Sequence, residues 1–275
     1  TAEENRGKAM GIIGVSIGLA FLLALILGPP LEAIAGLPGL FAATSILALI
    51  SLVLLWLIVP TPTRVQAPAA AGVSAVLAML RDGRMLVLNG SVFFLHALLT
   101  ASFVGLPLLL ANTLHLPVNR HWELYLPVMA VAAFVMGASL HHMREVAQSL
   151  RIVTVCVVAI GLALLGFALS GSHLAAFGVA AAVFFSAFNL LEAALPSLVS
   201  RLAPGHLRGA AMGAYSTSQF IGAFVGGALG GIALGRLGPN GVFVCAAAFT
   251  LLWLPLVIVG SRRISRQVAG EAQPA

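Results

Sequence analysis

The chain has 275 residues, of which 60% are hydrophobic and only 8% charged, and its mean hydropathy is +1.08. A soluble domain carries about 25% charged residues because its outer surface must be hydrated, so this composition excludes a soluble globular protein. The net charge of +6 does not indicate a nucleic-acid partner, because the Lys and Arg residues stand singly or in pairs between apolar runs. A lipid bilayer is therefore the expected surrounding medium.

Eight apolar stretches are each long enough to cross the bilayer, whose hydrocarbon core of about 30 Å takes roughly 20 helical residues. They lie at residues 9–27, 39–59, 85–110, 123–140, 152–169, 174–198, 209–234 and 242–260. Inside lipid every backbone group must be hydrogen-bonded internally, and these stretches are about twice as long as a barrel strand. The sequence therefore predicts an all-α polytopic membrane bundle with eight transmembrane helices.

The basic residues predict the orientation of this bundle. Of 14 Lys and Arg residues, Arg120 and Arg236 fall on one side of the predicted membrane, which leaves 14 − 2 = 12 on the other. Lys and Arg collect in cytoplasmic loops because they resist translocation. Both ends of the chain are therefore expected on the cytoplasmic side of a bacterial inner membrane.

A Pro-rich linker at residues 60–84, with a short amphipathic stretch at 73–80, divides the predicted bundle. Residues 1–59 hold two helices, residues 85–263 hold six, and residues 264–275 form a tail. The six split again into two sets of three at the turn 170–173. Three-helix repeats that are joined across a linker are a common construction of secondary carriers.

Polar side chains recur at helical spacing in three of the spans. The stripes are Asn89, His96, Thr100, Phe103 and Pro107 in the third span, Ser186, Asn189, Glu192 and Pro196 in the sixth, and Tyr215, Ser218, Gln219 and Gly222 in the seventh. An Asp, Lys or Arg at the bilayer centre costs at least about 2.5–3.5 kcal/mol, so an ionisable group there needs a partner or a function.

His96 and Glu192 are therefore candidate proton-coupling groups, since a His with an ordinary pKa of about 6.5 can exchange a proton near neutral pH. The candidate residues of a substrate cavity are Asn89, Thr100, Phe103, Asn189, Tyr215 and Gln219. The structural alternative is that His96 only bonds to a neighbouring helix, and that Glu192 pairs with Arg201, Arg208 or a backbone group.

Glycines predict close helix packing, because small residues let helix backbones touch inside a membrane. Gly222, Gly226 and Gly230 repeat every four residues in the seventh span, and Gly14 and Gly18 lie in the first. Gly28 and Pro29, followed by a second proline, are expected to end or kink the first span.

Enzyme motifs give no consistent signal. Residues 14–18 match the nucleophile pattern G-x-S-x-G, but that motif requires a strand followed by a sharp turn, whereas here it lies within a predicted helix. The sequence contains no H-E-x-x-H motif, phosphate-binding loop or His and Cys cluster. We therefore expect no enzyme activity, no cofactor and no metal site.

Several strings resemble the major facilitator superfamily, most closely its drug:proton antiporter-like branch. The string RGKAMG from Arg6 is similar to the start of the fifth helix in that family. The other matching strings are LHALLTASFVGLPLLL from Leu95, HWELYLPV from His121, FFSAFNLLEAALPSLVSRLAP from Phe184 and RGAAMGAYSTSQFIGAFVGGALGG from Arg208. They are similar to the seventh, eighth, tenth and eleventh helices, so the eight spans correspond to helices five to twelve.

The resemblance implies a twelve-helix carrier that works by alternating access and exports a small molecule in exchange for protons. It also implies that four helices of the same protein are missing before Thr1 and complete the cavity. The expected partners are thus the lipid bilayer, a small-molecule substrate, protons and those four helices, with no nucleic acid. The residues alone leave open a non-transporting membrane sensor or scaffold, in which the polar stripes only join helices.

Overall fold

The structure is a computed structural model that describes residues 3–59, 77, 79, 81–143 and 145–271. In this part of the chain the regular structure is entirely helical, with six α-helices and three short 3₁₀ helices. The α-helices are α1 (Glu3–Ile58), α2 (Gly83–Asn112), α3 (Trp122–Ser139), α4 (Val146–Leu169), α5 (Leu174–Leu202) and α6 (Arg208–Glu271). The 3₁₀ helices are Val118–Arg120, Leu140–Met143 and Gly205–Leu207. Six helical segments of the described residues are long and apolar enough to cross a membrane, so the prediction of an all-α membrane bundle is confirmed.

The helices α1 and α6 are much longer than a bilayer is thick. At 1.5 Å per residue, the 56 residues of α1 and the 64 of α6 would extend about 84 Å and 96 Å as straight helices. Each contains one glycine outside helical geometry, Gly36 with φ 62° and ψ −173° and Gly238 with φ 71° and ψ −177°. This conformation is open essentially to glycine alone. Each long helix therefore consists of two helical segments that meet at a glycine.

The end predicted for the first span at residues 28–30 is wrong in position. The α1 helix remains helical through Pro29 and Pro30 and is interrupted at Gly36. A proline removes one backbone donor, but its fixed φ of about −65° is compatible with a helix, whereas the positive φ of Gly36 is not. A Cβ on Gly28 would meet no atom within 4 Å, so this glycine makes no close helix contact with the described residues.

The contacts between α6 and α2 show that the chain reverses direction at Gly238. Before Gly238 the residue numbers of the contacting pairs increase along both helices. Gly222 contacts Phe93, Gly226 contacts Ala97 and Gly230 contacts Ala101. After Gly238 the residue numbers decrease along α2 while they increase along α6. Phe243 contacts Gly105, Leu256 contacts Gly90 and Gly260 contacts Val87. The first segment of α6 is thus parallel to α2 and the second is antiparallel to it.

Aromatic side chains fill the core where α4, α5 and α6 meet. The ring of Phe167 on α4 lies 4.9 Å from Phe177, 5.9 Å from Phe184 and 5.2 Å from Phe243, measured between ring centroids. All four side chains are fully buried. Because lipid tails are as apolar as these rings, tight van der Waals packing holds the helices together here rather than exclusion of water.

The helix α1 lies at the edge of the bundle and packs lightly against α3 and α5. Its large apolar side chains face outward, with Ile34 86% and Trp56 84% exposed. Such exposure would be very unfavourable in water, but apolar side chains meet hydrocarbon at no cost. The exposed surface of α1 is therefore consistent with a lipid environment.

Several predicted features lie at the limits of the described residues. The linker 60–76 with most of its amphipathic stretch lies outside them, as do the surroundings of Gly14 and Gly18. The linker ends where Asp82 caps α2, because its Oδ1 accepts hydrogen bonds from the backbone N–H groups of Arg84 at 2.8 Å and Met85 at 3.1 Å. At the other end α6 continues to Glu271, into the stretch predicted as a tail.

Replacing Gly226 with Ala should destabilise the bundle. Its Cβ would collide with the backbone of Ala97 and with the hydroxyl of Thr100, and overpacking of this kind costs typically 1–3 kcal/mol. Gly227→Ala is the matched control, because a Cβ there would meet nothing within 4 Å. Unfolding in SDS of the two purified variants measures the difference. Equal unfolding midpoints would show that α2 and α6 do not approach closely at Gly226.

Candidate functional site

His96 on α2 is the centre of a polar group that joins three helices. Its Nδ1 lies 3.2 Å from the carbonyl oxygen of Val92, one turn earlier in the same helix. This bond directs Nε2 away from α2, where it lies 2.8 Å from the side-chain nitrogen of Gln219 on α6. The same Nε2 lies 3.6 Å from Oε1 of Glu192 on α5. Three of the residues that the sequence singles out thus meet at one point.

The protonation of His96 determines which of these partners Nε2 can bind. If Nδ1 donates its proton to Val92, a neutral ring has a lone pair on Nε2 that accepts from the Gln219 amide. A protonated ring has an N–H on Nε2 instead, which the carboxylate of Glu192 can accept. The 3.6 Å separation from Glu192 is an ion-pair distance rather than a hydrogen bond. The placement in the structure therefore matches the neutral ring.

The carboxylate of Glu192 has little other compensation. Within the described residues its Oε1 has no hydrogen-bond partner, and it lies 3.6 Å from Nε2 of His96, which forms an ion pair with it only when the ring is protonated. Arg201, one of the partners considered from sequence, donates to the hydroxyl of Ser149 at 2.9 Å instead. Tyr215, another of the residues singled out from sequence, is buried as well. Glu192 and His96 are thus close enough to attract each other when both are charged.

The group is partly accessible rather than sealed. The side chains of His96 and Glu192 are 12% and 25% exposed, and Gln219 is also half-buried. The ring of Phe188 stands edge-on to His96, with the ring centroids 5.9 Å apart. His96 and Glu192 thus keep some exposed surface, while the ring of Phe188 covers part of the imidazole.

The remaining cavity candidates divide into two kinds. Thr100 joins helices, since its hydroxyl lies 2.9 Å from the carbonyl oxygen of Ala223 on α6 as well as 2.8 Å from that of His96. Phe103 packs edge-on to Phe185 of α5, with centroids 6.2 Å apart. Asn189 is half-buried and lies one turn from Glu192, so it can extend the polar surface of α5.

Asn89 lies apart from the His96 group, two turns away on α2. It is only 4% exposed, and neither of its side-chain polar atoms has a hydrogen-bond partner among the described residues. A buried polar group without a partner costs about 1–3 kcal/mol. Asn89, like Tyr215 at 5% exposed, is thus packed inside the bundle in this conformation, and its place in a substrate cavity stays a prediction.

Two contributors to the site are absent from the sequence-based set. One is the row Phe93, Ala97 and Ala101 on α2, which receives the glycines of α6. The other is Phe188, which packs on His96. The four-residue spacing of Phe93, Ala97 and Ala101 could in principle be recognised in the sequence. It is easily overlooked because a large side chain such as that of Phe93 is not expected at a close backbone contact.

The two main clefts of the described residues lie away from the His96 group. One cleft of about 650 Å³ lies at the start of α2 and the end of α6, and one of about 460 Å³ lies between α2 and the two segments of α6. Neither is lined by His96 or Glu192. Among the described residues no three His, Cys, Asp or Glu side chains are grouped for a metal ion.

A known protein family matches most of the chain. The family model described as Major Facilitator Superfamily matches residues 1–191. Because the match covers more than half of the chain, the protein belongs to the major facilitator superfamily.

Individual relatives are also similar over most of this chain. The inner membrane transport protein YajR of Escherichia coli is 36% identical over 256 residues, which are 92% of this chain and 56% of that protein. Two uncharacterized transporters of Buchnera aphidicola are each 28% identical. The one from subsp. Acyrthosiphon pisum covers 82% of this chain and 58% of its own length, and the one from subsp. Baizongia pistaciae covers 91% and 64%. The chain thus spans somewhat over half the length of these curated relatives.

The contact between His96 and Gln219 should be measurable as a coupling energy. We expect the variants His96→Ala and Gln219→Ala to be non-additive in unfolding free energy, by about 0.6 kcal/mol, which is typical of hydrogen bonds between membrane helices. The control cycle combines His96→Ala with Thr217→Ala instead of Gln219→Ala. The hydroxyl of Thr217 donates to the carbonyl oxygen of Gly213 in its own helix. That cycle should be additive within about 0.3–0.5 kcal/mol. Additivity in both cycles would show that the side chains do not interact.

Proposed function

We propose that this protein is a secondary active transporter, in which the group of His96, Glu192 and Gln219 couples transport to protons. The observation that carries the proposal is the placement of Nε2 of His96 between an amide on α6 and a carboxylate on α5. The relatives named as transporters support the general function. The non-transporting sensor or scaffold is not favoured, because His96 and Glu192 remain partly accessible.

The proposed coupling follows from the hydrogen-bonding capacity of imidazole. The neutral ring holds Gln219 and so ties α2 to α6. When Nε2 gains a proton it can no longer accept from Gln219, and it gains attraction for Glu192 on α5. Protonation therefore forces Gln219 either to turn its carbonyl Oε1 toward Nε2 or to release it, and it adds attraction between α2 and α5. A ligand that prefers one of these arrangements shifts the proton equilibrium by the same free energy.

We further propose that transport is proton-coupled efflux of a small molecule by alternating access, in the inner membrane. This proposal rests on the resemblance to the drug:proton antiporter-like branch and on the similarity to YajR, whose name describes an inner membrane transport protein. Together with Asn189 and Tyr215, the His96 group would face the substrate path. The chain offers no signal that identifies the substrate.

For the membrane topology we propose eight spans with both ends of the chain in the cytoplasm. The direction reversal at Gly238 supports two spans in α6, and the same backbone conformation at Gly36 supports two in α1. The distribution of Lys and Arg supports the orientation. Residues 1–59 would then belong to the N-terminal bundle and residues 85–263 to the C-terminal one.

Substitutions at the polar group should reduce proton-linked transport. In the intact protein, His96→Ala and Glu192→Gln should each lower the rate by at least about tenfold, because each removes one partner of the proposed exchange. Everted vesicles that are loaded with acridine orange report proton release when a transported compound is added. The matched controls are His173→Ala and Glu123→Gln, since these residues are exposed at helix ends. Unchanged rates in both His96 and Glu192 variants, at equal membrane abundance, would contradict the coupling.

The topology makes a separate prediction for labelling of single cysteines. On a background without Cys156 and Cys245, a cysteine at Arg120 or Arg236 should react with a membrane-impermeant maleimide in intact cells. A cysteine at Arg64 or Arg262 should react only after the cells are opened. If cysteines at Arg120 and Arg64 reacted alike in intact cells, the orientation would be wrong.

A further inference from the structure

A cleft of about 650 Å³ lies between the start of α2 and the last turns of α6. Both helices contribute to it, α2 through residues 82–87 and α6 through a face that repeats every three or four residues. That face includes Leu256, Val259, Gly260, Arg263, Ile264 and Gln267, and it ends at Gly270. The cleft is remote from the His96 group and has no part in the proposed coupling.

The polarity of the cleft changes along the helix axis in one direction. The end of the cleft nearer the middle of the two helices is apolar, and its side chains Leu86 and Val259 are 55% and 66% exposed. One turn further along α6, at about 6 Å, the wall becomes cationic at Arg263, and another turn on it becomes an amide at Gln267. The order is therefore apolar, positive and then polar, which is the complement of an acyl chain, a phosphate and a headgroup.

The charged side chains that line the cleft in the described part of the chain are Asp82, Arg84 and Arg263, so its lining carries one net positive charge. Asp82 is already engaged, since it caps α2 and lies 3.7 Å from the guanidinium of Arg84. Arg263 reaches across to the first turn of α2, where its Nη1 lies 4.0 Å from the position of a Cβ on Gly83. No ion pair involving Arg263 is present among the described residues. An anion at this place would be bound by both Arg263 and the amide of Gln267.

We propose that this cleft binds one anionic phospholipid. Arg263 and Gln267 hold the phosphate, and the acyl chains lie along Leu86 and Val259. Basic pockets between helices at the cytoplasmic side of a membrane are suited to acidic headgroups, because anionic lipids give that leaflet a negative surface potential. The proposal uses the membrane embedding and orientation of the chain, but not its transport activity, so the two can fail independently.

Native mass spectrometry of the intact protein with added dioleoyl phosphatidylglycerol tests this site. Arg263→Gln should weaken the tightest bound lipid by about tenfold or more, since a hydrogen bond to a charged group contributes about 1.5–3 kcal/mol. Arg263→Lys should retain most of the affinity through its charge. Arg262→Gln is the matched control, because it removes the same charge one residue outside the cleft, and it should change the affinity by less than about twofold.

Two comparisons separate the lipid from other sources of the same chemistry. Dioleoyl phosphatidylcholine should bind more weakly than phosphatidylglycerol, and the difference should disappear in Arg263→Gln. Glycerol phosphate, which has the anion without acyl chains, should not displace the lipid at equal concentration. Equal losses in the Arg262 and Arg263 variants would overturn the proposal in favour of a diffuse surface charge. Displacement by glycerol phosphate would overturn it in favour of a site for free phosphate.

Discussion

The close approach of α2 and α6 is the contact on which the polar group depends. Gly222, Gly226 and Gly230 carry no side chains to separate the two backbones, so the backbone atoms of α2 lie directly against them. At this separation the short side chain of Thr100 reaches a carbonyl on α6, and Gln219 reaches His96. Lipid offers no alternative partners for such groups. The glycine row and the polar group are therefore two parts of one interface.

The lack of hydrogen-bond partners in lipid also explains why only a few polar side chains connect the helices. Backbone groups are satisfied within the helices, and side-chain hydroxyls such as those of Ser91 and Ser102 bond back to their own helix. Polar atoms that reach between helices are then exceptional, and they locate the places where helices are tied together. His96 differs from the other ties because its ring can take up a proton, which changes Nε2 from an acceptor into a donor.

Features that belong to a single helix could be predicted from the sequence. The spacing of His96, Glu192 and Gln219 within their own spans, and the four-residue repeat of glycines, follow from helical geometry. Relations between helices could not be predicted in this way. Nothing in the pattern distinguishes Asn89, which is buried and has no side-chain partner among the described residues, from His96 two turns away. The break at Gly36 was also hidden, because the prolines before it are a stronger local signal than a glycine whose φ depends on the surrounding chain.

The turns at Gly36 and Gly238 occupy almost no chain. Helical backbone continues up to each glycine and resumes after it, so an epitope tag or a protease site inserted there would interrupt two helices at once. Insertions are tolerated where the chain is exposed and its backbone is not committed to a helix. Between α2 and the first 3₁₀ helix, His115 is exposed and lies outside helical backbone, so it meets that condition better. The neighbouring Leu116 is buried and hydrogen-bonded through its backbone to Leu110, so a reporter at His115 has to leave Leu116 in place.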